Sequence, residues 1–292
     1  MIAAPPQNAG PADTQRAAPV LSTSDREALR LAVRTLEQPS LVARLSNFAG
    51  RPVELIGHVL PRSASRVIQK ASQAALQSAV RLALTTLPDI PSKRGRLLHK
   101  AFAATSGALG GAVGIVSLPL ELPIATTLIL RAIAEIAQGE GEDLTRPEVS
   151  LACVQVFALG GGRAGSDNPA ESSYFAVRAA LAQSMSEATH FVAEQGVIGQ
   201  GAPVLIRLTA EIASRFGLVV TQKAAAQALP VVGALGGAAV NIAFMDHYQD
   251  LAHAHFTVRR LERTHGKDPV RSAYEQIRLS EIGEQPLESP TA

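Results

Sequence analysis

The 292-residue chain can bury a large core and lies near the size at which single cores begin to divide. Its net charge of +2, its lack of tryptophan and its 4% aromatic content argue against nucleic-acid binding, which needs a basic surface and stacking platforms. A single cysteine, Cys153, excludes an internal disulfide framework and fits a reducing compartment. The N-terminal stretch has no basic start followed by an apolar run, so no secretory signal is expected and the expected location is cytoplasmic.

Residues 1–22 carry four prolines among alanines, and residues 283–292 read the same way. Neither stretch has enough large apolar side chains to offset the entropy of ordering, so both are expected to be disordered tails. Between them, residues 23–282 read as a single helical domain.

Ser24 with Glu27 forms a capping-box pattern, and Leu29, Ala32, Val33 and Leu36 follow on one helical face. Gln38-Pro39 ends that helix. Ser40 caps the next, whose stripe is Leu41, Val42, Leu45 and Phe48. A third helix is predicted from Ser63 to Thr86, and Leu87 to Pro91 breaks it. A helix from Pro147 competes with a strand at Cys153–Phe157, the best β candidate in the chain. Further helices are predicted over 169–195, 201–215, 218–229, 231–264 and 268–281. The fold class is all-α: a multi-helix bundle with glycine-faced, tightly packed central helices.

The glycine faces come from two windows without a charged residue, Ala101–Leu120 and Ala224–Met245, which share the hexapeptide Gly-Ala-Leu-Gly-Gly-Ala at 107–112 and 233–238. Glycine costs roughly 1 kcal/mol inside a helix relative to alanine. Clustering such as Gly233 with Gly237 therefore needs a tertiary reason, and close helix approach supplies one. Twenty uncharged residues reach membrane-spanning length, and Lys93, Arg94, Arg96, His99 and Lys100 precede the first window as cytoplasmic flanks do. Against spanning, the windows are rich in small residues. Pro119 and Pro123 break the exit of the first window, Pro230 and Asn241 interrupt the second, and Arg131 and Glu135 follow in the next apolar helix. Burial inside a bundle is favoured, and a peripheral or partly inserted hairpin stays open.

Gly160–Gly165 matches GxGxxG, but turn residues Ser166-Asp-Asn-Pro169 follow and no second strand appears, so no nucleotide partner is expected. The densest ionisable cluster is Asp246, His247, Tyr248, Asp250, His253 and His255. Asp246, Asp250 and His253 share one helical face, and two carboxylates with an imidazole can hold a divalent metal. Glu121, Glu135 or Glu148 from another helix could complete such a site. The competing reading is a solvated polar face, because no second helix carries a matching Glu-x-x-His. HExxH, GxSxG and CxxC are absent. Cys153 reads as a small core residue, Arg131 with Glu135 as a structural pair, and Arg259, Arg260 and Arg263 as complements to a helix C-terminus.

Several runs resemble the EcsC protein family: Gly107–Ala112, Leu120-Glu-Leu-Pro123, Leu130–Ala137, Leu151–Gly161, Pro230–Asn241 and the ending Phe244–Glu262. The similarity covers about residues 23–276 and is greatest to proteobacterial members. It implies an all-α fold in a bacterial cytoplasmic or envelope-linked setting. Some members carry a peptidase label, for which this sequence holds no peptidase motif. The function expected is that of a non-catalytic accessory protein without a cofactor, one face of which meets a membrane surface or an envelope protein complex. The alternative is a metal-dependent hydrolase with one divalent metal at Asp246, Asp250, His253 and Glu121.

Overall fold

The computed structural model describes residues 21–37, 41, 45, 62–87, 118–161, 173–196, 202–227 and 233–283, with the backbone alone at 62, 63, 161, 233–237, 282 and 283. These residues form α1 (Thr23–Glu37), α2 (Arg62–Thr85), α3 (Leu118–Gly139) and α4 (Pro147–Gln155), then a 3-10 turn (Val156–Gly161). After it come α5 (Ser173–Gln195), α6 (Pro203–Gln227), α7 (Gly233–His265) and α8 (Lys267–Gly283). No strand occurs among the described residues, and the architecture is an all-α bundle.

Amphipathic spacing accounts for the packing. On α1, Leu29, Ala32, Val33 and Leu36 are buried as their period requires. Burying the three large ones contributes at most about 5–9 kcal/mol against the unfolded chain. At about 50 Å, α7 is the spine: α1, α3, α6, α8 and the 3-10 turn all pack on it. A second layer is made where α2 lies along α3 and α6. All three tyrosines are buried. Tyr248 joins Phe157, Phe216 and Phe244 at ring separations of 5.1–5.9 Å, and Tyr174 and Tyr274 enclose Phe175.

Two expectations are corrected. The cap of α1 is Ser22, not Ser24: its Oγ accepts from the Asp25 amide at 3.1 Å and donates to the Asp25 carboxylate at 2.8 Å. The helices expected at 201–215 and 218–229 are one, α6, which runs through Gly217. Phe216, Val219 and Val220 are buried on either side of that glycine, and their packing outweighs its low helix propensity. Of the two readings of Cys153–Phe157 the helical one holds: the segment is the end of α4 and the start of the 3-10 turn. Arg259, Arg260 and Arg263 lie in the last turns of α7 as expected, and they also make the ion pairs described below.

Leu41 and Leu45 are helical and buried, as their stripe requires. Val42, Phe48, the basic stretch 93–100, Gly107–Ala112, Gly162–Asn168 and most of both tails lie outside the described residues. The second charge-free window covers the end of α6 and the start of α7, so Gly233 and Gly237 are helical, with their surroundings outside the described residues. Among the described residues no helix is long and apolar enough to cross a membrane.

Candidate functional site: the buried charges and the exposed head of α3

The four metal candidates do not converge. Asp250 and His253 line an open depression of about 240 Å³ against Ala28, Leu31, Ala32 and Thr35 of α1. Asp246 sits one turn before Asp250, half-buried like both of them. Glu121 is elsewhere, engaged with a lysine. Among the described residues no group of three or more His, Cys, Asp or Glu side chains is placed to ligate a metal ion.

Glu121 lies buried in the first turn of α3, and its Oε1 accepts from Lys223 Nζ at 2.7 Å. Lys223 is fully buried near the end of α6. Gln227, one turn further, reaches the same oxygen at 3.4 Å, and the ammonium lies 4.9 Å from the centroid of the Phe244 ring on α7. The sites suit the charges. A carboxylate near a helix start and a cation near a helix end each complement the macrodipole. Burial pushes the Lys223 ammonium below the ordinary lysine range, and the adjacent Glu121 carboxylate opposes that shift.

Immediately beside this buried pair, α3 turns two large aliphatic side chains outward. Leu120 is 77% exposed and Ile124, one turn on, is 50% exposed. Pro123 between them removes the amide that would bond to the Pro119 carbonyl, which fixes a weak point in the first turns of the helix.

A second buried network ties α1, α5, α7 and α8 together. Glu37 at the end of α1 caps α5 in trans. Its carboxylate accepts from the Ser173 amide and hydroxyl, each at 3.1 Å, and from the Tyr274 hydroxyl at 2.8 Å. Arg178 forms a bidentate pair with Glu262 at 2.8 and 3.0 Å and also donates to the Tyr174 hydroxyl at 3.2 Å. That leaves the phenol proton for His255 Nδ1 at 3.0 Å, an arrangement that puts the imidazole proton on Nε2. Nε2 is buried without a hydrogen-bond partner among the described residues. Burial, then the nearby Arg259 and Arg178 guanidiniums, holds the His255 pKa well below 6.5, so the ring is neutral. Burial also pushes the Tyr174 hydroxyl up to about 12.

The far end of α7 is an arginine clamp. A glycine at φ +79°, Gly141, lets the chain leave α3 through a Schellman motif, in which the Glu142 amide donates to the Ala137 carbonyl at 3.0 Å. The turn thereby presents Glu140 to Arg260 at 2.8 Å and Glu142 to Arg259 at 2.7 Å and to Arg263. Asp25 adds a contact to Arg260 at 3.5 Å and one to His265 at 3.0 Å. The two arginines hold the Glu142 carboxyl below the usual glutamate range despite its burial.

At the glycine-rich segment, Gly160 lies in the last residues of the 3-10 turn, beneath the α7 pair His247 and Tyr248. A Cβ there would stand 2.8 Å from His247 Nε2 and 3.3 Å from the Tyr248 hydroxyl. The segment is preceded by a helix and a 3-10 turn, so it lacks the strand on which a dinucleotide fingerprint depends. Its glycine is a packing requirement. Cys153 is fully buried and its thiol is pushed far up by burial, which fits a core residue.

Sequence reasoning missed Lys223, Glu37, Tyr174, Arg178 and Glu262. Glu121 and Lys223 are separated by 102 residues and Glu37 and Ser173 by 136, so no local spacing announces either contact. The one available signal for Lys223 was a lone lysine bordering an uncharged window. The profile of the EcsC protein family matches residues 26–261, from the first turn of α1 to the arginine-bearing end of α7. No curated protein and no solved structure matches the chain. With the match spanning most of the bundle, the chain belongs to the EcsC protein family.

Proposed function

We propose that this protein is a non-catalytic accessory protein that docks reversibly on an anionic membrane surface through the head of α3. The observation that carries the reading is the exposed pair Leu120 and Ile124, 77% and 50% exposed, on a helix that follows a charge-free run. Placing the two side chains among lipid headgroups contributes on the order of 1–2 kcal/mol each. In the sequence, Lys93, Arg94, Arg96 and Lys100 precede the same run. Each basic residue near an anionic leaflet adds about 1 kcal/mol. Sums of this size give reversible attachment rather than permanent insertion. The buried ionisable groups support a non-catalytic role, since Glu121, Lys223, Glu37, Arg178, Glu262 and Glu142 are all engaged in holding helices together.

The test is flotation of the full chain with phosphatidylglycerol-containing vesicles and with neutral vesicles. Wild-type protein is expected to float with the former, and a Leu120→Glu/Ile124→Glu variant to stay at the bottom with an unchanged melting temperature. Wild-type protein that stays wholly unbound, or a variant that floats as well as wild type, overturns the proposal. Elemental analysis addresses the hydrolase alternative. One Zn, Mn or Fe per chain, lost in Asp250→Ala, would turn the reading toward a metal-dependent enzyme.

A further inference from the structure

Between α2 and the first turns of α6 runs a trough of about 180 Å³, well apart from the head of α3. Its floor is apolar: Val80, Leu84 and Leu205 are each buried to within 6–8% exposure. Ile206 forms one lip and is 46% exposed, a large aliphatic side chain only half covered. The other lip is polar. Gln77 and Arg81 stand one turn apart on α2, on the same face as Val80 and Leu84, at spacings of 3, 4 and 7 from Gln77. Arg81 has no carboxylate partner among the described residues, whereas Arg207 beside the α6 lip is paired with Glu187 and Glu211.

We infer that this trough binds a medium-chain carboxylate, its chain lying on Val80, Leu84, Leu205 and Ile206 and its head on the Arg81 guanidinium. The trough's 180 Å³ is many times the ~10–15 Å³ of such space that one water needs, which leaves room for a short aliphatic chain. The sign of the charge follows from Arg81, whose planar fork takes a carboxylate through two parallel hydrogen bonds. The start of α6 adds a positive dipole end on the opposite side, so both walls favour an anion over a cation. Gln77 can donate a further amide hydrogen at the same lip. A chain occupying the trough also covers the exposed part of Ile206, which nothing among the described residues does. The inference is independent of membrane docking: it concerns a monomeric amphiphile and a different face.

Titration of the full chain with sodium octanoate, 1-octanol and sodium butyrate, followed by isoleucine and leucine methyl shifts, tests it. Octanoate is expected to bind saturably and to shift the Ile206 methyls. Octanol lacks the charge and is expected to bind about tenfold more weakly, the factor set by one charge-assisted contact. Butyrate, four methylenes shorter, is expected to lose more than tenfold. Arg81→Gln is expected to weaken octanoate to the level of octanol while leaving octanol unchanged, and Ile206→Asp is expected to weaken both. Both substitutions fall at exposed or half-exposed positions, and unchanged circular dichroism confirms that the variants are folded. Non-saturable octanoate shifts, equal affinity for octanoate and octanol in wild type, or octanoate binding unaffected by Arg81→Gln would each overturn the inference.

Discussion

Replacing Lys223 by methionine probes how the core tolerates charge. The Nζ–Oε1 separation of 2.7 Å corresponds to a gross attraction of about 6 kcal/mol at an effective dielectric constant near 20. Desolvation costs several kcal/mol per ion, so the intact pair contributes little net stability. Removing one partner is different. In Lys223→Met the Glu121 carboxylate keeps its burial and loses its cation, and about 3–5 kcal/mol of stability is expected to go. The Gln227 amide at 3.4 Å is too distant a donor to replace the ammonium. In Lys223→Met/Glu121→Leu both charges are gone from a pocket already bounded by Phe244, and stability is expected to return to within about 1–2 kcal/mol of wild type. Urea denaturation of the two single variants and the double variant, with slopes compared to check for two-state behaviour, measures the cycle. A double variant that loses as much as the sum of the singles would refute the reasoning, because the two charges would then act independently.

Two further changes follow from the same geometry. Gly160→Ala is expected to cost about 1–3 kcal/mol, read as a lowered melting temperature, because its Cβ would meet His247 Nε2 at 2.8 Å within a packed core; an unchanged melting temperature would place His247 elsewhere. His255 makes stability pH-dependent. Its folded pKa lies below 6.5, so the unfolded chain binds more protons, and stability is full above about pH 6.5 and falls on acidification by up to about 1.4 kcal/mol per unit. His255→Phe is expected to flatten that slope between pH 6.5 and the carboxylate range, and a slope unaltered in the variant would assign the effect to other groups.

Helical periodicity made most of the bundle legible. The stripe Leu29, Ala32, Val33, Leu36 located α1, and the same reading found α2, α7 and α8 to within two residues at each end. Errors arose where local signals compete. Ser22, Thr23 and Ser24 are all good caps, and only the hydrogen bonds of Ser22 to Asp25 separate them. Gly217, a poor helix former, falls in the gap between the helices expected at 201–215 and 218–229, yet Phe216 and Val220 are buried on either side and carry α6 through it. The shared face of Asp246, Asp250 and His253 was readable, because it depends only on 3.6-residue geometry. What that face meets was not readable. Asp250 and His253 border α1, which lies more than two hundred residues earlier in the chain.

The placement of charge explains why the chemistry of this chain stayed hidden from its sequence. An ionisable side chain signals function in a sequence when its partners lie within a turn or two, as in HExxH. Here the buried ions are joined across the bundle: Glu121 to Lys223, Glu37 to the start of α5, Glu262 to Arg178, and Glu142 to Arg259 and Arg263. Each pair joins elements distant in sequence and sits at or near a helix end; the dipole favours the charge found there for Glu121, Lys223, Arg259 and Arg263, and Glu37 meets the unsatisfied amides that begin α5. Such pairs contribute little net stability, but an alternative packing that separates them strands a buried ion at a cost of several kcal/mol. In an alanine-rich bundle, whose small side chains offer many nearly equivalent helix contacts, that penalty selects one register. These buried charges thus favour one pairing of helix ends over the others. The two proposed binding surfaces are instead places where the chain spends apolar or basic side chains on solvent: Leu120 with Ile124, and Arg81 with Ile206.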